Sequence, residues 1–282
     1  MSITSDLIAM MEVVETRLEL PFIEMVYIPP VRAIKPEQGE FGFILLNDGS
    51  AGFFYVLLGD TLERLNDDIR ANAFAGMNPI TLVNGLASSD ELDRTFAMAA
   101  VNAISQHVFR RANYSLNTAA NSMAAMGFSE NDHVGMVGFF PSLVERLREK
   151  NIRLTVLELR EHLLQQDERF EVTMDVQNLQ HCNKVLCTAS TLLNDSLPDV
   201  LKHCAAAERV AIIGPTASCL PDPLFERGVD IIGASTVVEV NTLMERSGDN
   251  QSWGNAVQKY VIEHHAYPGY EKLLDRLLSN SP

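Results

Sequence analysis

The sequence predicts an α/β protein: a mostly parallel sheet with helices on both faces, preceded by a smaller α+β unit. Two observations point there. From residue 134 onward, five short apolar runs (VGMVG, RLTVLEL, KVLCT, RVAIIG and VDIIGA) are separated by segments of helical spacing. Uninterrupted apolar runs of this length suit strands buried on both faces of a parallel sheet. Before residue 88 the pattern is different, with a helix, a strand and a hairpin signal in succession.

Leu7, Ile8, Met11, Val14 and Leu18 recur at helical spacing behind Thr4, Ser5 and Asp6, which are suitable caps, so a helix is expected over residues 6 to 19. PFIEMVYIPPV reads as a strand stopped by Pro29 and Pro30. GFILL and AGFFYVLL flank Asn47-Asp48-Gly49-Ser50, a hairpin signal. Thr61 to Phe74 has helical spacing, and after the Asn78-Pro79 break a long helix is expected from Ser89 to about Asn113. The boundary between the two units is placed at this helix, giving residues 1–88 and 89–282, and the helix is expected to pack with both. In the second half helices are expected at 142 to 150, 196 to 206, 222 to 227 and 237 to 246, with a further periodic pattern near 255 to 278.

The 37 acidic and 22 basic side chains give a formal charge of −15, which repels phosphate backbones and anionic lipid. Neither a nucleic acid nor a membrane is expected as a partner. The adjacent Arg110 and Arg111 read as the solvated end of a helix. No stretch reaches the roughly 18 apolar residues of a membrane span, and the N-terminus lacks a basic start, so a cytoplasmic protein is expected. Cys182, Cys187, Cys204 and Cys219 lack CxxC spacing and read as reduced, largely buried thiols. The dipeptides His181-Cys182 and His203-Cys204, with His264-His265, offer metal-ligand chemistry, but adjacent residues point in different directions and make no natural bidentate set. A GxSxG nucleophile elbow is absent from the sequence.

In an open parallel sheet, ligands sit beyond the carboxyl ends of the strands. The residues that follow the apolar runs are small or hydroxylated: Gly138-Phe139-Phe140-Pro141, then Thr188-Ala189-Ser190-Thr191 with Asn194, then Gly214-Pro215-Thr216, then Gly233-Ala234-Ser235-Thr236. They can form a concave, neutral, hydrogen-bonding edge, or they can simply turn chains and cap helices. Glu158 ends the second run 20 residues beyond Gly138, where dinucleotide proteins hold a ribose. Against that, the glycines read GxxG, and Phe139, Phe140 and Pro141 stand where a pyrophosphate needs close backbone approach. A solvated strand end is the plainer reading of Glu158.

The segments TFAMAAVNAIS, VGMVGFFPSLVERLREKNIRLTVLEL, CTASTLLNDSL and IIGPTASCLPDPLFERGVDIIGAS resemble, in order and across most of the chain, the heavy-metal chelatase family of domains of unknown function. The resemblance implies an enolase N-terminal-like domain joined to a Rossmann-like domain, with a site in the cleft between them. By the matching motifs it implies ligand-binding roles for Asn102, Gly138, Phe139, Pro141, Ser190, Thr191, Asn194, Gly214, Pro215 and Thr216. This sequence has Ala189 where the family turns its strand through glycine.

Three readings follow. The first is a protein that binds a small anionic or metal-chelating molecule in the interdomain cleft, with a heavy or transition metal held through an organic chelator; a homodimer is compatible with it. The second is a nucleotide- or adenosyl-cofactor-dependent enzyme with Glu158 at the cofactor. The third is a non-catalytic binding or regulatory protein. The sequence selects no reaction.

Overall fold

The computed structural model describes residues 2–31, 41–68 and 70–279. Helix α1 (Ile3–Arg17) opens with a capping box between Ser2 and Ser5. Strands β1 (Ile23–Tyr27), β2 (Phe41–Leu46) and β3 (Ala51–Tyr55) form a three-stranded antiparallel sheet in that order. The expected hairpin joins β2 and β3: Gly49 takes a positive φ of 88°, and Asp48 Oδ1 accepts from the Ser50 N–H at 2.9 Å. Asp48 also meets the His107 ring at 2.7 Å. Burial pushes the Asp48 carboxyl up, but His107 and Ser50 more than offset this and hold it down to about 2.

The expected helix over 61 to 74 is two: α2 (Thr61–Asp67) and α3 (Arg70–Ala73), with Ile69 outside the described residues. The short α4 (Ile80–Val83) precedes α5 (Glu91–Arg111), whose Asp90 cap accepts from the Leu92 N–H. Sixteen of the 21 residues of α5 are buried. A helix enclosed on all sides needs partners all round, and α5 has them: Ile44, Leu46 and Phe54 of the small sheet share its core cluster with Val185, Ile212 and Ile232 of the large sheet. The expectation that this helix packs with both halves is met.

After α6 (Ser122–Met126) the chain builds an eight-stranded sheet: β4 (His133–Val137), α7 (Pro141–Glu149), β5 (Arg153–Leu157), β6 (Gln165–Gln166), β7 (Phe170–Thr173), β8 (Lys184–Thr188), α8 (Leu197–His203), β9 (Arg209–Ile213), α9 (Asp222–Phe225), β10 (Ile231–Val237), α10 (Val240–Gly248), β11 (Val257–Glu263) and α11 (Tyr270–Ser279). The strand order is β11-β10-β9-β8-β4-β5-β7-β6, with only β6 and β11 antiparallel to their neighbours. Numbered by appearance, the six parallel strands run 3-2-1-4-5-6, the doubly wound order. The mixed α/β architecture is therefore as expected. Alternate residues face opposite sides: Val134, Met136, Val156 and Leu186 pack with Val144 and Leu147 of α7, while Val137, Val185 and Cys187 pack with α5, α8, α9 and α11.

Four expectations need correction. The large sheet has eight strands rather than five, because FEVT and the two-residue β6 are too short to show a pattern. The periodic segment near 255 to 278 divides into strand β11 and helix α11, the register with β10 running from Val237↔Val257 to Ile231↔Glu263. The helix expected at 237 to 246 begins at Val240, because the β-branched Thr236 and Val237 stay in β10 with Ser235. For the same reason Ser235 and Thr236 lie within a paired strand, opposite Lys259 and Gln258, and not beyond its end.

The β10 to β11 connection also covers the small sheet. Leu243 of α10, Ala256 and Trp253 enclose Phe43, Leu45 and Phe53 on the side away from α5. Residues from beyond position 89 thus pack on both faces of the antiparallel sheet.

Candidate functional site

In this strand order the chain leaves β4 toward β5 and β7 on one side and returns to β8 on the other, so the connections diverge between β4 and β8. Such a switch point opens a crevice at the carboxyl ends. Gly138 follows β4 there with φ +85°, and a Cβ on it would meet the Thr188 side chain at 3.2 Å. Beside it, Thr188 Oγ1 and Ser190 Oγ are 3.0 Å apart at the end of β8. Beyond β9, Gly214 takes φ 136° and ψ 154°, a region open to glycine, and a Cβ there would meet Ala189 at 3.2 Å. Gly138, Phe139, Ser190, Gly214 and Pro215 are partly accessible and Pro141 is exposed, so these candidates occupy the rim.

The other candidates lie beneath or beside it. Asn102 is fully buried on α5, and its Nδ2 donates to the Phe53 carbonyl of β3 at 2.8 Å and to the Thr216 carbonyl at 2.9 Å. One helical turn on, Gln106 donates to the Ser218 carbonyl and to the Tyr260 hydroxyl, while Ser105 accepts from the Leu220 N–H. This polar stripe at i, i+3 and i+4 ties α5 to the segment after β9. Asn102 Oδ1, Thr216 Oγ1 and Ser218 Oγ have no partner among the described residues. Thr191 Oγ1 donates to the Thr188 carbonyl at 2.7 Å, and Thr191 lines a shallow depression against Ile3 and Leu7. Asn194 Oδ1 accepts from the N–H and hydroxyl of Ser196, shaping the entry to α8.

Glu158 differs from the solvated strand end read from the sequence: it is only 8% exposed. Its carboxylate accepts from the N–H groups of Phe139 (3.0 Å), Leu159 (2.9 Å) and Arg160 (3.1 Å) and from the Arg160 guanidinium (3.0 Å). Burial pushes this carboxyl up, while Arg160 and the Phe139 amide more than offset the penalty and keep it below its ordinary range. The group turns back into the protein because the ends of β4 and β5 bring the Phe139 amide to it, a juxtaposition invisible in linear spacing. Tyr55 at the end of β3 lies within electrostatic reach of both Arg160 and Glu158, and burial raises its phenol. Arg160 and Tyr55 were not singled out by sequence; the only signal was Arg160's charge.

Direct metal ligation does not fit these donors. Among the described residues no group of three or more His, Cys, Asp or Glu side chains is placed to hold a metal. All four cysteines are buried, and burial pushes Cys182, Cys187 and Cys219 up to about 12 and Cys204 to about 11. The thiolate is the form that binds metal and reacts with electrophiles. At pH 8 a disulfide reagent should therefore modify the folded protein slowly and all four thiols rapidly in denaturant; rapid modification of the folded form would contradict this placement. At the opposite end of the sheet, Arg209, Asp230, Glu263, His264 and His265 line a second depression. There Asp230 accepts from the Val210 N–H and the His264 ring stacks on Phe225 at 4.8 Å, which makes it a structural seam.

Among the described residues, no helix is long and apolar enough to cross a membrane. The chain matches a known family and known folds. The model of the DUF364 family, described as "Putative heavy-metal chelation", matches residues 121–263. An uncharacterized protein of Methanocaldococcus jannaschii is 25% identical over 185 residues, covering 64% of this chain and 70% of that one. Two crystal structures of DUF364 proteins of unknown function share the fold. One, from Desulfitobacterium hafniense, has a TM-score of 0.63 at 16% identity over 89% of this chain and 97% of its own. The other, from Pyrococcus horikoshii, has a TM-score of 0.60 at 18% identity over 93% and 98%. With half of its length matched by the family model and its architecture shared with two members, the chain belongs to the DUF364 family, the heavy-metal chelation family by description.

Proposed function

We propose that this protein binds a small anionic, metal-chelating molecule in the crevice between the large and small sheets, and so handles metal as a complex and not as a bare ion. The observation that carries the reading is the switch point itself. Gly138 and Gly214 allow close backbone approach and Ser190 supplies a neutral donor, whereas the thiols that could hold a metal directly are buried and, among the described residues, belong to no group of three placed to hold one. In this reading Gly138, Phe139, Pro141, Ser190, Gly214 and Pro215 contact the ligand. Asn102, Thr191, Asn194 and Thr216 hold the walls, and the two units divide at residues 88 and 89.

The doubly wound strand order favours a second reading, a nucleotide or adenosyl cofactor with Glu158 at its ribose. Two features weigh against it: four donors already engage the Glu158 carboxylate, and the Phe139 N–H is among them.

Native mass spectrometry with elemental analysis of the purified protein tests the proposal. The expected result is a small molecule and a metal released together, with the stripped protein binding Zn²⁺, Ni²⁺ or Co²⁺ only weakly. Nanomolar metal binding by stripped protein, abolished by Cys182→Ser with Cys204→Ser, would overturn it. A bound nucleotide lost on Glu158→Ala would establish the second reading instead.

A further inference from the structure

The segments that follow the parallel strands are residues 138–140, 158–160, 174–175, 189–196, 214–221 and 238–239. Arg160 is the only lysine or arginine in all of them, in a chain whose net charge is −15. Among the described residues Arg94 of α5 also reaches this edge, but its side chain is 15% exposed and already donates to the Leu193 and Ser88 carbonyls, so Arg160 is the exposed cation that these segments carry. The Arg160 side chain is 54% exposed, and a single nitrogen, Nη2, contacts Glu158. Its remaining guanidinium N–H groups have no acceptor among the described residues. Glu158 does not rely on that contact, because three backbone N–H groups also hold its carboxylate in place. The pair is thus a fixed acid steering a half-free arginine. Tyr55 of the small sheet lies within electrostatic reach of both.

We infer that Arg160 is the anion-recognising residue of the crevice, taking one carboxylate of a small polycarboxylate through the guanidinium N–H groups that Glu158 does not hold, with Glu158 as its positioning residue. This assignment rests on the crevice reading above and names its ligand class. A guanidinium matches a carboxylate in plane and charge, with two parallel N–H···O bonds available. A phosphate ester fits less well. The Gly138 and Phe139 N–H groups, which would cradle a phosphate at this turn, are already bonded to the Leu157 carbonyl and to Glu158. Polycarboxylates are also oxygen-rich chelators of divalent metals, so the ligand can carry a metal for which the protein supplies no donor cluster.

Calorimetry with citrate, nickel citrate, Ni²⁺ alone, inorganic phosphate and adenosine monophosphate as probes tests this. The wild-type protein should bind citrate or its nickel complex more tightly than the other three. Arg160→Ala should weaken that binding by about tenfold or more, and Arg160→Lys, which keeps the charge but loses the planar fork, by an intermediate factor. Thermal melting should be unchanged, since the side chain is exposed. Glu158→Ala should weaken citrate binding when Arg160 is present and have no effect in the Arg160→Ala background, a coupling that a purely structural role would not produce. Citrate affinity within twofold of wild type in Arg160→Ala overturns the assignment, as does failure of the wild type to bind citrate in either form, or a preference for the monophosphate. Ser190→Ala separates the two claims. If it weakens citrate binding while Arg160→Ala does not, the crevice reading stands and the Arg160 assignment falls; if neither substitution weakens it, both fall.

Discussion

Gly52→Ala is expected to destabilise the whole chain by about 3 kcal/mol or more, at or beyond the upper end of overpacking costs. A Cβ at this position of β3 would lie 2.0 Å from the Ala99 carbonyl oxygen, 2.4 Å from the Ala103 nitrogen and 2.8 Å from Asn102 Cβ. Two of those atoms are backbone of α5, which cannot yield as a flexible side-chain tip would. Ala97, Met98, Ala99, Ala100 and Val101 are all fully buried, so moving the helix disturbs several contacts at once. Gly248→Ala is the control: nothing lies within 4 Å of its added methyl, and it ends α10. It should be neutral or stabilising by a few tenths of a kcal/mol. Urea midpoints followed by far-UV circular dichroism decide the matter; a loss under about 0.5 kcal/mol for Gly52→Ala would mean that the sheet does not rest on the helix backbone as described.

Asn102→Ala is expected to cost about 2 to 5 kcal/mol, because it removes one amide that serves two buried carbonyls, and each carbonyl left without a donor costs about 1 to 3 kcal/mol. The acceptors, Phe53 and Thr216, meet at this one nitrogen and belong to buried residues of two different segments. Asn102→Asp provides a sharper test. A carboxylate facing two carbonyl oxygens in this interior is penalised, so the folded protein would hold the acid protonated and its pKa would rise above the unfolded value. Stability is then retained below the unfolded carboxyl pKa of about 4 and falls as pH rises through the folded one. Thermal midpoints should show the variant closest to wild type at pH 4 and farthest from it at pH 8. A constant difference would mean that the side chain is not enclosed.

The parallel core was legible because its strands are buried on both faces and so read as unbroken apolar runs. Strand β11 was not: Gln258 and Lys259 are exposed while Tyr260, Val261 and Ile262 are buried, a pattern with neither strand nor helix period. The glycine turns of the site were equally visible, since Gly138 and Gly214 adopt backbone conformations that few other residues accept. The roles of Glu158 and Asn102 were not visible, for a common reason. Glu158 is defined by an amide 19 residues away and Asn102 by carbonyls 49 and 114 residues away. Linear spacing carries composition and periodicity, whereas these two side chains take their meaning from which chain segments the sheet brings together.

The polar stripe of α5 also bears on how a ligand enters. Asn102, Ser105 and Gln106 join the small sheet and the segment after β9 through buried main-chain bonds, and the β10 to β11 connection clasps the opposite face of the small sheet. Two walls fastened in this way do not open like a clamshell, because parting them would expose carbonyls and a closed apolar seam together. Any molecule bound between them meets an aperture that is already set. Its apparent affinity is then not divided by the fraction of time the walls stand in the right place, and little ordering entropy is lost on association. In the proposed reading, the dimensions of the gap would then add steric exclusion of a bulkier chelate to the recognition assigned to Arg160.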